Sequence, residues 1–254
     1  MKRMISTKLS RFTLIAVAIT ASTLLLQSCQ KSFDKKLAAD YYTGTGSTIQ
    51  VFVGTVGASR NYIYVDGQPV NGSALSTGNL FPGTGFGYSV KSGLRNMMVR
   101  DTLSTTTQAN LVFAQNFDIG NNYMIFTFDT ITAPKQKTVR TPITVPSDTT
   151  CRVRFANFAY NGIAQTPAID IVSLGKNEIV ATNVRYTDVT DFIVHPSRIG
   201  TEAFQIRLAG TTTVLATSTI STLLPQRSYT VVYRGSHRAT SGTSIRAATL
   251  VVNY

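Results

Sequence analysis

The chain has 254 residues with 24 Lys and Arg against 12 Asp and Glu, a formal net charge of +12, two cysteines and no tryptophan. Two cysteines exclude a disulfide framework, and basic residues scattered without a Lys/Arg-rich helix or interleaved aromatics exclude the pattern of a nucleic-acid reader. Low charge with abundant Thr, Ser, Gly and β-branched residues predicts an all-β protein, since apolar residues alternate instead of recurring at three and four.

Lys2, Arg3, Lys8 and Arg11 form a positive n-region, and an apolar run follows from Phe12 to Leu26. This is the pattern of an export signal. The run would cover about 22 Å as a helix, at roughly 1.5 Å per residue. A hydrocarbon core of about 30 Å needs more, so a spanning helix is the weaker reading. The run ends on Leu26-Gln27-Ser28-Cys29. That tetrapeptide resembles the lipobox of bacterial lipoproteins, with Leu three before the Cys and a small residue just before it. Gln27 departs from the small residue usual in enterobacterial examples and is similar to the larger residue of Bacteroidetes-type lipoproteins. The resemblance implies lipidation at Cys29, a palmitate-bearing anchor and an outer-membrane location. An ordinary secretory signal with an incidental Cys is the alternative. Removing residues 1–28 takes away four basic and no acidic residues, leaving 20 against 12, a net +8.

Residues 29–47 have no hydrophobic period and are read as a flexible lipidated tether. A first β-sandwich is expected over 48–142, with strands at Ile49 to Val53, Tyr62 to Val65, Phe86 to Lys91, Met97 to Arg100, Leu111 to Phe117, Tyr123 to Asp129 and Lys137 to Thr141. Pro142 and Pro146 bracket a linker over 143–150, and the pattern starts again over 151–254. In this repeat Asp191 to His195 matches Gly87 to Lys91, which aligns His195 with Lys91, and Phe204 to Arg207 matches Asn96 to Val99 within a residue or so. The closest pair is Leu223 to Val231 against Phe117 to Ile125. In each, an apolar residue stands six before a tyrosine across a Pro or Gly corner, which resembles the tyrosine corner of Greek-key sandwiches and predicts hydroxyl-to-backbone bonds at Tyr123 and Tyr229. The expected architecture is therefore two tandem immunoglobulin-like, Greek-key β-sandwich domains, of about seven strands each, after the signal peptide and tether.

Arg152 to Asn157, the spaced Ala168 to Ile171 and the Tyr229 strand make residues 148–235 similar to the family of domain of unknown function 4397, with 48–130 resembling it more loosely. The resemblance implies small immunoglobulin-like sandwiches on exported bacterial proteins, often in tandem, and brings no catalytic, cofactor or ligand-binding residues with it.

Chemistry is sparse. His195 precedes Pro196 and is read as a turn residue, and His237 falls in a loop; their spacing builds no metal site. No G-x-S-x-G occurs. The cluster Gly83-Thr84-Gly85-Phe86-Gly87 fails the spacing of a phosphate cradle and leads into a strand. Asp188 and Asp191 are too few for calcium and are read as surface charge. Cys151 is read as a small apolar wall residue, and Arg152, Arg154, Arg185, Arg198, Arg207, Arg227, Arg234, Arg238 and Arg246 as solvated surface. Three tripeptides, Asp101-Thr102-Leu103, Asp129-Thr130-Ile131 and Asp148-Thr149-Thr150, resemble the O-glycosylation motif of exported Bacteroidetes proteins. They mark Thr102, Thr130 and above all Thr149, in the linker, as candidate sites.

No catalytic, cofactor or metal site is expected. The functional expectation is a non-catalytic envelope lipoprotein that binds a glycan or protein partner or acts as a structural spacer. The alternative is an accessory glycan-binding or adhesion component of a polysaccharide-uptake system, with Tyr41, Tyr42, Tyr160 or Tyr186 as a stacking platform. Partners are the membrane, through the N-terminal lipid anchor, and a glycan or protein of the envelope; nucleic acid is not expected. One acid among three lysines after Cys29, at Asp34 against Lys31, Lys35 and Lys36, favours the periplasmic face over the cell surface.

Overall fold

The computed structural model describes residues 44–83, 86–143, 145–162, 166–219 and 221–254, without the side chains of 198–201. Cys29, most of the tether and the signal peptide lie outside the described residues. Residues 44–254 form one compact unit, and every regular element described in it is a strand. The first half contains β1 (Gly46–Val53), β2 (Asn61–Val65), β3 (Gln68–Pro69), β4 (Leu80–Phe81), β5 (Tyr88–Lys91), β6 (Gly93–Asp101), β7 (Leu111–Phe117), β8 (Asn122–Phe128) and β9 (Lys135–Arg140). The second contains β10 (Thr150–Asn157), β11 (Ile169–Ser173), β12 (Glu178–Val184), β13 (Ile193–Pro196), β14 (Arg198–Glu202), β15 (Phe204–Leu208), β16 (Val214–Thr217), β17 (Ser221–Leu223), β18 (Ser228–Arg234) and β19 (Ala247–Val252). Thus β1 begins at Gly46 instead of 48: Ser47 is buried, and its hydroxyl donates to the Asp118 carbonyl at 2.6 Å.

Each half is a pair of sheets. In the first, a sheet in the order β4, β1, β8, β9, with β5 also on β1, faces a sheet in the order β3, β2, β6, β7. In the second, β13, β10, β18, β19 faces β12, β11, β15, β16, and β14 and β17 form a separate ribbon. Most pairings are antiparallel, but β1 runs parallel to β8 and β10 parallel to β18. The two parallel registers define the repeat: Ile49 lies opposite Tyr123, and Val153 opposite Tyr229.

Strand sequence explains which sheets are wet. On β6 and β7 burial alternates, as expected for a sheet with one face to solvent. On β8 the run Tyr123 to Phe128 is buried at every position, and β18 is buried from Ser228 to Tyr233. Strands apolar on both faces need cover on both. One face of β1 and β8, through Ile49, Val51, Tyr123 and Ile125, packs on Ile63, Met97, Val99 and Phe117 of the first sandwich. The matching face of β10 and β18, through Val153, Phe155, Tyr229 and Val231, packs on Ile169, Ile171, Phe204 and Ile206.

The opposite faces meet each other. Phe52, Met124, Phe126 and Phe128 from the first half and Ala156, Phe158, Val232 and Val251 from the second form a third core, in which the Phe126 and Phe158 rings stack at 4.6 Å. The two sandwiches are thereby fused into four stacked sheets with three apolar layers. Residues 143–150 join halves that are already in contact, and Thr141, just before them, is buried. At roughly 1.5–3 kcal/mol for burying a large apolar side chain, the seam is a substantial share of the stability of either half.

Candidate functional site

The three Asp-Thr tripeptides share a sequence but not a setting. Thr102 and Thr149 are exposed, while Thr130 is half-buried beside Thr132, its hydroxyl 3.0 Å from that of its neighbour. Asp101 Oδ1 accepts the Leu103 N–H, and Asp148 Oδ1 accepts the Thr150 N–H, each at 2.9 Å, so both aspartates close an Asx turn. The Thr150 hydroxyl and N–H hold the Asp148 carboxyl below its usual range. Asp129 instead adopts a positive φ of 64°, is buried, accepts the Tyr186 hydroxyl and pairs with Lys135 at 2.8 Å. Tyr186 also packs edge-on against Phe128, so it belongs to the seam and not to an exposed sugar platform. Tyr41 and Tyr42 lie outside the described residues, and Tyr160 is half-buried.

Both tyrosine corners are formed. The Tyr123 hydroxyl accepts the Asp118 N–H at 3.0 Å, and the Tyr229 hydroxyl accepts the Leu224 N–H at 2.8 Å. Each closes the turn into the strand that runs parallel beside the first strand of its half. The corners are therefore what aligns β8 and β18, and with them the residues that line the seam.

His195 is not a turn residue. It is fully buried on β13, opposite Cys151 of β10. Since Val90 lies opposite Ser47, the residue equivalent to Cys151, His195 corresponds to Val90 and not to Lys91. A register error of one residue moves a side chain from the solvent face to the core. Around it stands a cluster of buried polar side chains. Nδ1 lies 2.9 Å from the Pro196 carbonyl, which can only accept, so this nitrogen carries a proton. Nε2 lies 3.4 Å from Glu202 Oε2 and 3.4 Å from Ser173 Oγ. Glu202 also accepts the Ser173 hydroxyl at 3.0 Å and the Gly175 N–H at 3.1 Å, and Ser173 Oγ accepts the Lys176 N–H. The Cys151 thiol points to the His195 carbonyl at 3.3 Å, and burial pushes it up to about 11. Ser173 directs its hydroxyl at a carboxylate instead of offering it to the imidazole, and every member is sealed from solvent. The cluster ties β13 and β14 to the end of β11. Its members are spread over four strands, so no sequence spacing announces it. His237 is half-buried, with its Nδ1 3.0 Å from the Tyr233 hydroxyl.

No family model and no curated protein matches the chain.

A cleft at the edge of the seam collects the arginines that matter. It encloses about 310 Å³ and is lined by Arg140 and Pro142 from the end of the first half and by Arg152, Arg154, Thr190, Asp191 and Phe192 from the second. Arg154 corrects the reading of the basic residues as solvated surface: it sits mid-strand on β10 and is only 3% exposed. Its Nε donates to the Thr230 hydroxyl and its Nη2 to the Thr141 hydroxyl, both at 2.9 Å, and the guanidinium lies 4.6 Å over the Phe192 ring. Burial holds it well below the usual arginine range, at about 10, with the Asp191 carboxylate pulling the other way. Asp191, expected as plain surface charge, is exposed at the cleft wall. Asp188 accepts the Arg185 N–H at 3.0 Å and closes a turn. Alternation with Val153 and Phe155, which enter the sandwich core, puts Arg152 and Arg154 on the other face of β10, so the sequence by itself reads them as solvent-facing and gives no signal that the first half covers Arg154.

Proposed function

We propose that this chain is a non-catalytic lipoprotein of the bacterial cell envelope, held at the periplasmic face of the outer membrane through Cys29, whose two fused sandwiches act as a rigid binding or spacer module. The observation that carries the reading is the basic, apolar and Leu26-Gln27-Ser28-Cys29 succession at the N-terminus. The buried third core supports it, because a block joined through packed phenylalanines holds its surfaces at a set spacing, as a spacer or scaffold needs. Kinship with the family of domain of unknown function 4397 is part of the same reading. Metabolic labelling with palmitate tests the anchor: label and membrane association are expected for the native chain and lost in Cys29→Ser. Label that survives this substitution overturns it.

A second reading, a glycan-binding accessory protein of a surface uptake or adhesion system, is favoured by the arginine-lined cleft with its single carboxylate. Occupancy of Thr149, Thr102 or Thr130 by a glycan is a separate proposal, read out by intact mass; a mass equal to protein plus lipid refutes it.

A further inference from the structure

We propose that the cleft between the two halves binds an acidic sugar, with its carboxylate held by Arg140, Arg152 and Arg154 and its hydroxyls received by Asp191. The proposal rests on the glycan-binding reading and gives it a site and a ligand class.

The first argument is a buried cation with no carboxylate in contact, only Asp191 acting from the cleft wall. No carboxylate among the described residues forms an ion pair with Arg154 within 4.0 Å. Two threonine hydroxyls and the Met124 sulfur at 3.4 Å answer its hydrogen bonds, while its charge is answered only at a distance, by Asp191. Leaving a buried charge poorly compensated is costly. A bound carboxylate would lower that cost, taking a charge-assisted bond from Nη1, which makes no hydrogen bond among the described residues.

The second argument is that the seam does not need this charge. By the two parallel registers, Gln50 occupies in the first half the position of Arg154 in the second. It bridges the same seam with a neutral amide, donating to the Val252 carbonyl at 2.9 Å and accepting from the Asn253 amide at 2.9 Å. Two equivalent positions therefore do the same bridging work, and only the one facing the cleft carries a guanidinium. Packing explains the length of the side chain, and ligand chemistry explains its charge.

The third argument selects the class of anion. Three arginines and one aspartate line the cavity. A bare phosphate or sulfate gains from the arginines but is repelled by Asp191. A carboxylate accepts only, so its natural partners are hydroxyl donors, and a ligand carrying one negative charge among several hydroxyls uses both signs of the cleft. A volume of about 310 Å³ lies at the small end of ligand pockets, suiting one sugar unit. Arg140 and Asp191 are exposed, so the site opens to solvent.

Titration calorimetry of the full-length protein in detergent at low salt tests this with glucuronate, galacturonate, glucose and inorganic phosphate. Uronate binding that weakens with added salt is expected, with no heat from glucose. Arg140→Gln and Arg152→Gln, at solvent-accessible positions, should each weaken it about tenfold or more, the equivalent of losing a hydrogen bond to a charged group. Arg154→Gln copies the Gln50 arrangement and should fold, with a thermal midpoint no lower than that of the native chain, yet bind no uronate. Asp191→Asn should weaken uronate and strengthen phosphate. No uronate heat at millimolar ligand overturns the site. Equal binding of phosphate and uronate, indifferent to Asp191→Asn, overturns the sugar assignment. Glycan capture on an array that persists in Arg140→Gln and Arg152→Gln refutes this cleft while sparing the glycan-binding reading, whereas no capture by any form refutes both.

Discussion

Replacing Phe126 by Ala tests whether the two sandwiches are one cooperative body. The ring is fully buried, stacks on Phe158 of the other half at 4.6 Å and lies 6.2 Å from Phe52. A Phe→Ala change in a packed core costs about 3–5 kcal/mol, of which the aromatic pair accounts for about 0.5–1.5 kcal/mol. For a unit of this size each kcal/mol lowers the midpoint by about 2–4 °C, so a fall of about 6–20 °C is expected. Scanning calorimetry of the full chain should give a single transition, lowered alike by Phe126→Ala from the first half and Phe158→Ala from the second. The double replacement should cost less than the two costs added, because both remove the same stack. Two resolved transitions, with Phe126→Ala shifting only one, would show the halves to be independent beads and refute the fused seam.

Other consequences follow from single contacts. Tyr229→Phe leaves the Leu224 N–H without its partner and should cost about 1–3 kcal/mol in urea unfolding; a change near zero would mean that the corner does not hold β18. Glu202→Ala strips Gly175 and Ser173 of a common acceptor and should cost at least about 2 kcal/mol, with Glu202→Gln milder; equal losses in the two variants would contradict the hydrogen-bond account. Burial first, then Arg246 and Arg238, lower the His237 pKa below its usual 6.5. The unfolded chain therefore binds the proton more readily, and stability present above pH 6.5 should decline as pH falls through the lowered value. His237→Gln should flatten that part of the melting-temperature profile, and an unchanged slope would assign it elsewhere. Finally, the Cys151 thiol, buried and pushed up to about 11, should resist a thiol reagent at pH 8 until the chain is unfolded. Denatured mature protein should then titrate one thiol if Cys29 is a thioether, and two if it is not.

Much of the fold was legible because it is written locally. The expected strand Leu111 to Phe117 agrees with β7 at both ends, and those at Tyr123 and Lys137 differ from β8 and β9 by one or two residues. Both corners could be named because a corner needs only an apolar residue, a turn former and a tyrosine within seven positions. Failures came where a single residue of register decides a face. Sliding His195 from Val90 onto Lys91 turned a core residue into a surface one and hid Glu202 and Ser173 with it. Arg154 reads as surface because alternation with Val153 and Phe155 puts it on the face that a lone sandwich would leave to solvent, and it is Met124 and Thr141 of the other half that cover it. Met124, Phe126 and Phe128 already alternated with Tyr123, Ile125 and Thr127, leaving β8 apolar on both sides. That pattern demands a second covering layer, which the other half supplies.

The amino-acid sequence alone determined that this is a repeated, all-β chain with two tyrosine corners, because a period of two and turn chemistry act within a few residues. Tertiary structure decided that the spare faces of β8 and β18 cover each other, that Gln50 and Arg154 bridge the seam, and that Arg140, Arg152, Arg154 and Asp191 share a cleft. The physical reason is that apolar attraction is non-directional: a strand records how many of its faces must be buried, not which surface will bury them. Partners in three dimensions are chosen only when whole sheets meet.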